Sequence, residues 1–430
     1  MDLLQLLETT QDNVFLTGVA GSGKSSTLRQ LVRKAGKSVI VCAPTGVAAI
    51  NARGQTIHSL FRIPPRMLND DDIKEIAKKQ SNVIKHAKKI IIDEMGFVRG
   101  DMLDALDRIM RLARHQPNKP FGGCPILGVG DQYQLPPIVS GSEKEHFDRL
   151  YESPYFFSSN VAQESPFKIV ELTNVFRQTD LEFIRILNDI RSGVVSKEDL
   201  DNLNQCVRPA DPGAIVLCPY NAQVQQINEE ALLKLPGEVR SYQAVVDGDF
   251  PKGGYPNDET VSLKVGTTVM LLRNEAEDFN KFLYVNGTIA KVTALAEKIV
   301  DVEIPGKGVH RIEFAEWDSI KYDMLGKTLT HRVSGSFSQI PMKLAAAFSI
   351  HKSQSKTFDK VHINMGKGAF DYGQAYVALS RCRTLDGMSL EKPLARRDVM
   401  IDPRITEYFR AAKEAGLVTE VSQAFDERMA

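Results

Sequence analysis

Short apolar runs recur along the first part of the chain, each ending abruptly in glycine or polar residues: NVFLTG, KSVIVCAPT, KKIIIDE and CPILGVGD. Runs this short, with little polar alternation, are those of strands covered on both faces. Between them lie helical patterns. SSTLRQLVRKAG is amphipathic and ends at Gly36, and DMLDALDRIMRLARH gathers Met102, Leu103, Leu106, Ile109, Met110 and Ala113 into one packing stripe. This alternation predicts an α/β fold, a parallel sheet with helices on both faces. From 60 to 85 the rhythm is broken by FRIPPRML and a polar, charged run, which predicts a small insertion. A second alternation starts at KIVELT (168–173), continues through AIVLCPYN (214–221) and resumes with AAAFSIHKSQ (345–354) and KVHINM (360–365). Two similar α/β domains follow from it. Between these parts GTTVMLLRN, YVNGTIAKVTAL, KIVDVEIPG and HRIEFAEWD read as short strands joined by glycine and asparagine turns, a small β-barrel inserted in the second domain. The expected boundaries are 1–59 and 86–165 for the first domain, 60–85 for its insertion, 166–260 and 341–401 for the second, 261–340 for the β insertion, and 402–430 for a polar helical tail.

Length and composition add limits. A chain of 430 residues exceeds one ordinary core, and 43% hydrophobic with 25% charged residues is the balance of a soluble globular protein. No apolar run approaches the ~20 residues that span a bilayer, and MDLLQLLETTQDN carries acids where a signal peptide needs bases. The expected location is therefore cytoplasmic, with no membrane partner, and the short ends fit a bacterial or phage-infected cell better than a nucleus or mitochondrion. Cys42, Cys124, Cys206, Cys218 and Cys382 are scattered without CxxC pairing and read as buried reduced thiols. Lys plus Arg and Asp plus Glu each total 54, so net charge gives no hint of a polyanionic partner, although Lys85 to Lys89 and Arg108 to Arg114 are basic clusters.

The chemistry begins at GVAGSGKSS, residues 18–26, where two glycines with four residues between them are followed by lysine and serine. With a strand before and a helix after, this is a phosphate-binding loop. Glycines let the backbone wrap close to phosphate oxygens so that N–H groups and the positive helix end cradle the anion. Gly18, Ala20, Gly21, Ser22, Gly23, Lys24, Ser25 and Ser26 are the candidate contacts to a nucleoside triphosphate, with Lys24 on the outer phosphates and Ser25 on Mg²⁺. At the end of KIIIDEMG, Asp93 is assigned to hold the Mg²⁺ and Glu94 to orient or deprotonate the attacking water. GVGDQYQLPPI places Asp131, Gln132 and Gln134 past another strand end, and Gln134 is the candidate sensor of the γ-phosphate. Arg177 and Arg381 follow apolar runs of the second domain and are candidates to stabilise charge on the transferring phosphoryl group; a surface salt bridge is the commoner fate of a single arginine.

The ordered series GVAGSGKSS, CAPTGVAA, TIHSLF, IIIDEM, GDQYQLPP, LTNVFRQ, SIHKSQSKTFD and QAYVALSRCR covers nearly the whole chain and resembles the motif set of the Pif-one-type, RecD-like helicases of superfamily 1. The resemblance implies two RecA-like P-loop domains that clamp Mg·ATP, a small wedge-bearing insertion in the first and an SH3-like barrel in the second. It implies an enzyme that hydrolyses ATP to move 5′-to-3′ along single-stranded DNA and to open duplexes at junctions, with G-quadruplex DNA as a further substrate, acting as a monomer. It supports the nucleotide roles above and points to Pro44, Thr45, Thr56, His58, Ser59, His351, Lys352, Ser353 and Gln354 as DNA contacts. Hydroxyls, amides and imidazoles suit a track that is gripped without reading sequence. Two positions depart from the family pattern, Gly96 in place of serine and Ser355 in place of glycine. A P-loop kinase or AAA-type ATPase not coupled to DNA is the alternative; it leaves the second alternation, Arg381 and the barrel unexplained. A DNA-binding module with a decayed ATPase is a third reading, against which stand the intact Lys24, Asp93 and Glu94.

Overall fold

The computed structural model describes residues 3–35, 39–64, 66–139, 141–178, 180–273, 275–278, 281–284, 286–325, 328–354 and 356–422. Ser355 and Gly36 lie outside the described residues. The chain divides into two compact units, one of 1–176, 319–334 and 402–430, the other of 177–318 and 335–401.

In the first unit, β1 (Val14–Gly18), β2 (Ile40–Ala43), β3 (Gln55–Thr56), β4 (Ile90–Ile92), β5 (Ile126–Val129) and β6 (Lys168–Leu172) join the C-terminal strand Val418–Val421 in one sheet. Its order is Val418–Val421, β6, β1, β5, β4, β2, β3, and every pairing is parallel. The apolar runs are explained by side chains that alternate between two buried faces. On one face Val14, Leu16, Val41, Ile91, Leu127 and Val129 pack under α1 (Leu3–Thr9) and α2 (Lys24–Ala35). On the other Phe15, Ile40, Cys42, Ile90, Ile92 and Ile126 pack under α4 (Ile57–Phe61), α5 (Asp70–Lys78), α6 (Asn82–His86) and α7 (Gly100–Ala113), while α3 (Gly46–Asn51) follows β2. In the segment 60–85, expected as an insertion, Asn69 and Asp72 form a capping box on α5, and Ile73, Ala77, Val83 and Ile84 are buried with Leu103, Leu106, Ile109 and Met110 of α7.

Three boundary expectations are corrected. KIVEL at 168–172 does not open the second unit; it pairs with β1, Leu16 opposite Val170, and the first unit runs on to Phe176. Among the described residues of the tail the helix is Pro403–Glu414, and Val418–Val421 adds a strand beside β6. The β insertion begins earlier than 261, because Arg240–Gln243 pairs with Thr260–Leu263 and Tyr242 shares its core with Val269, Val292, Val302, Ile312 and Met342.

The second unit is also α/β. Ala347–Ser349, β7 (Ile215–Cys218), Val361–Ile363 and Met388–Leu390 form a parallel sheet in that order. Beside it stands an antiparallel five-stranded sheet of Gly308–Glu313, Ile299–Ile304, Ile289–Leu295, Thr268–Leu271 and Met342–Leu344. All five cysteines are buried and free, and among the described residues no three His, Cys, Asp or Glu side chains gather as a metal site. No described helix is long and apolar enough to cross a membrane. The basic cluster of α7 serves the fold: Arg108 pairs with Asp70, Arg111 with Asp107 and Glu164, and Arg114 donates to the carbonyls of Ile84, Lys85, Ala87 and Gly122.

Candidate nucleotide site and nucleic-acid residues

Because all strands of the first sheet run parallel, the loops that leave their carboxyl ends share one edge, where ligands bind in open α/β sheets. The phosphate loop leaves β1, Asp93 and Glu94 leave β4, and Asp131 to Gln134 leave β5. These three strands are neighbours, so the sheet brings the phosphate loop, the acidic pair and Gln134 to one edge, while Arg177 and Arg381 belong to the second unit. Next along the edge, Pro44 and Thr45 leave β2, and Thr56, His58 and Ser59 leave β3.

The loop after β1 is shaped by positive φ at Gly18, Gly21 and Gly23, of 146°, 86° and 87°. Gly18 has no room for a side chain: a Cβ there would lie 2.5 Å from the Leu172 carbonyl oxygen and 2.8 Å from Ser22 Oγ. The Gly21 carbonyl accepts from Phe176 N–H at 2.9 Å, which ties the loop to the segment after β6. Lys24 opens α2 and bends back over the loop, its ammonium donating to the carbonyls of Gly18 at 2.7 Å and Val19 at 3.0 Å. Ala20 and Ser22 are buried, and the Ser22 hydroxyl has no hydrogen-bond partner. Ser25 is exposed on the first turn of α2, and Ser26 accepts from Arg29 at 3.0 Å. A polar loop with an orphaned buried hydroxyl and an ammonium folded inward fits a triphosphate.

Asp93 is fixed by its own N–H, which donates to the Cys42 carbonyl at 2.9 Å, and by Oδ1, which accepts from Glu94 N–H at 3.0 Å. Burial, and then repulsion from Glu94, push its carboxyl up to about 7. Glu94 holds a left-handed backbone, φ 53° and ψ 42°, a strained conformation for a residue with a Cβ. A hydroxyl at Ser25 and a carboxylate at Asp93 are oxygen donors of the kind Mg²⁺ takes. Beyond β5, Asp131 Oδ1 accepts from Tyr133 N–H and Oδ2 from Gln134 Nε2 at 3.3 Å, while Tyr133 stacks on Phe409 of the C-terminal helix at 5.4 Å.

Thr45 and Thr56 cap α3 and α4, accepting from Ala48 and Ser59 N–H. Pro44 and His58 are half-buried, Ser59 and Thr45 exposed, and burial lowers the His58 imidazole below its usual range, which keeps it neutral at pH 7.

In the second unit the arginines are used internally. Arg177 donates to the Ser380 carbonyl at 3.2 Å, and burial lowers its guanidinium to about 10. Neighbouring Gln178 donates to the carbonyls of Ser380 and Cys382. Arg381 is 1% exposed and donates to the carbonyls of Val377, Ser353 and Lys356 and to Ser380 Oγ. Arg381, a candidate for the transferring phosphoryl group, here clamps the His351–Ser353 turn to the helix Gln374–Leu379. Ser353, expected as a DNA contact, is fully buried with its hydroxyl donating to the Ile350 carbonyl, a local bond common for serine in turns. His351 and Gln354 are half-buried and Lys352 is exposed.

The PIF1-like helicase family profile matches residues 4–201. The ATP-dependent DNA helicase Pif1 of Bdellovibrio bacteriovorus is 30% identical over 424 residues, 95% of this chain and 90% of that protein. The chain belongs to the Pif1-like helicase family. The Danio rerio ATP-dependent DNA helicase PIF1 is 35% identical over 411 residues, and the chain spans only 60% of its length. Bacteroides Pif1 in complex with ADP-AlF4 superposes with a TM-score of 0.88 at 36% identity, covering 96% of both chains; the same protein bound to ssDNA gives 0.66.

Against the Pif1-like pattern, Gly96 has a packing reason. A Cβ at this position would stand 3.3 Å from the Asp131 carbonyl oxygen and 3.5 Å from Gln132 Oε1. Gln132 is 1% exposed and neither atom of its amide has a hydrogen-bond partner. An unsatisfied buried amide costs about 1–3 kcal/mol. Gln132→Leu is therefore expected to raise the thermal midpoint by about 2–4 °C, read by calorimetry; a lowered midpoint would show that the amide is satisfied in solution. Tyr220 and Phe370 stand 150 positions apart in the chain, so no local pattern in the sequence pairs their two rings.

Proposed function

We propose that this chain is an ATP-dependent DNA helicase that translocates 5′-to-3′ on single-stranded DNA and unwinds duplexes at single-strand/double-strand junctions, with G-quadruplex DNA as a further substrate, and that it acts as a monomer. The observation that carries this is the shared carboxyl edge of the first sheet, where the phosphate loop, the acidic pair and Gln134 adjoin the hydroxyl and imidazole groups on the loops after β2 and β3. The names of its relatives and the ligands of its solved neighbours support the same reading.

In this proposal the backbone N–H groups between Gly18 and Ser26 and the start of α2 bind the phosphates, and Lys24 exchanges its two carbonyl partners for the outer phosphate oxygens. Ser25 and Asp93 would hold Mg²⁺, which would supply charge neutralisation on the transferring phosphoryl group. Glu94 takes a proton from the attacking water, and Gln134, leashed to Asp131, senses the γ-phosphate. Arg177 supplies positive charge to the phosphoryl group. Arg381 can join it only by releasing the carbonyls it now holds, so its release would loosen the His351–Ser353 turn. Pro44, Thr45, Thr56, His58, Ser59, His351, Lys352 and Gln354 contact the sugar-phosphate track.

Strand separation on a forked duplex with a 5′ tail tests the proposal directly: ATP-dependent unwinding with the 5′ tail and none with a 3′ tail alone is expected, and the absence of any unwinding would overturn it. Lys352→Ala should weaken single-strand binding and lower the slope of log affinity against log salt by about 0.7, the share of one phosphate contact. His58→Ala should weaken binding with no change of slope at pH 7, because the imidazole is neutral and releases no counterion. A changed slope for His58→Ala, or an unchanged one for Lys352→Ala, would reverse these assignments.

A further inference from the structure

In the second unit Ala347–Ser349, β7 and Val361–Ile363 are adjacent and parallel, so the residues that follow them emerge at one edge. His351 and Lys352 follow the first strand, Tyr220 follows β7, and Phe370 and Asp371 lie on the loop that follows the third. At this edge the rings of Tyr220 and Phe370 stack, with centroids 5.1 Å apart and planes inclined by 12°. They are 53% and 50% exposed, more open to solvent than any other aromatic side chain whose burial is described. Both stand on fixed backbone. Tyr220 is the N-cap residue of Asn221–Leu233, and Phe370 N–H donates at 3.1 Å to Oε1 of Gln374, a fully buried side chain whose Nε2 has no partner.

An exposed aromatic stack leaves flat apolar area in water, which is costly unless a planar partner covers it. At the same edge Lys352 is exposed and His351 is half-buried, and Asp371, the carboxylate on this loop, lies close enough to His351 to interact with it electrostatically. We propose that Tyr220 and Phe370 form a stacking step that holds a base of single-stranded DNA at the carboxyl edge of the second unit's sheet. The proposal rests on the helicase reading and adds to it a contact that grips bases, where the others grip phosphate and sugar. Every base has a π-face, so such a step serves movement along any sequence.

The test is fluorescence anisotropy with labelled oligo(dT) and with an abasic strand of equal length, for the full chain and its variants. Tyr220→Ala and Phe370→Ala are each expected to weaken oligo(dT) binding about tenfold, with the salt slope and the affinity for the abasic strand unchanged. Tyr220→Phe keeps the wild-type affinity, since the ring alone does the stacking. Alanine variants that bind oligo(dT) like the wild type, or that lose equal affinity for the abasic strand, would overturn the proposal. A wild-type chain that binds neither strand would overturn the helicase reading first and the stacking step with it.

Discussion

Lys24→Ala is expected to lower ATP hydrolysis by about a thousandfold or more, with the fold unchanged. The ammonium lies within the loop, 2.7 Å and 3.0 Å from two of its carbonyls, at the point where the outer phosphates would be cradled. Loss of one preorganised donor aimed at developing charge costs about 10²–10³-fold, and here the donor also carries a full charge. Alanine is the best helix former, so the first turn of α2 should persist and the thermal midpoint should stay within about 2 °C. Turnover near the wild-type rate in a folded variant would show that the site is misassigned.

Glu94→Gln is expected to separate binding from chemistry. Glutamine has nearly the same shape and can occupy the left-handed position at φ 53° at the same backbone cost, but it cannot accept the proton of the attacking water. Nucleotide should bind at least as tightly as in the wild type while turnover falls by about a thousandfold. Binding of a fluorescent ATP analogue, read beside single-turnover hydrolysis, checks both halves. Turnover at the wild-type rate would remove Glu94 as the base, and loss of binding would place it among the nucleotide-holding groups.

Much of the site was legible in the sequence because it is local. The phosphate loop needs a strand, glycines and a helix within one short segment, and the acids after β4 announce themselves as carboxylates closing an apolar run. What was not legible depends on contacts distant in the chain. KIVEL reads as a strand at any place in the fold; only its register against β1 and Val418–Val421 assigns it to the first unit. The arginines of α7 look like a basic surface until Asp70 and Glu164 are brought to them. A motif names a residue but not the direction of its side chain, which is why Ser353 and Arg381 turned inward unannounced. The stack of Tyr220 on Phe370 has no local signal at all.

The most direct test of the central claim is the rate of ATP hydrolysis with and without a short single-stranded oligonucleotide, with Lys24→Ala as control. A motor that couples its phosphate loop to a DNA track should be strongly stimulated by the strand, and the stimulation should vanish in the control. The same rate with and without DNA would contradict the account and leave an ATPase whose partner is something other than DNA.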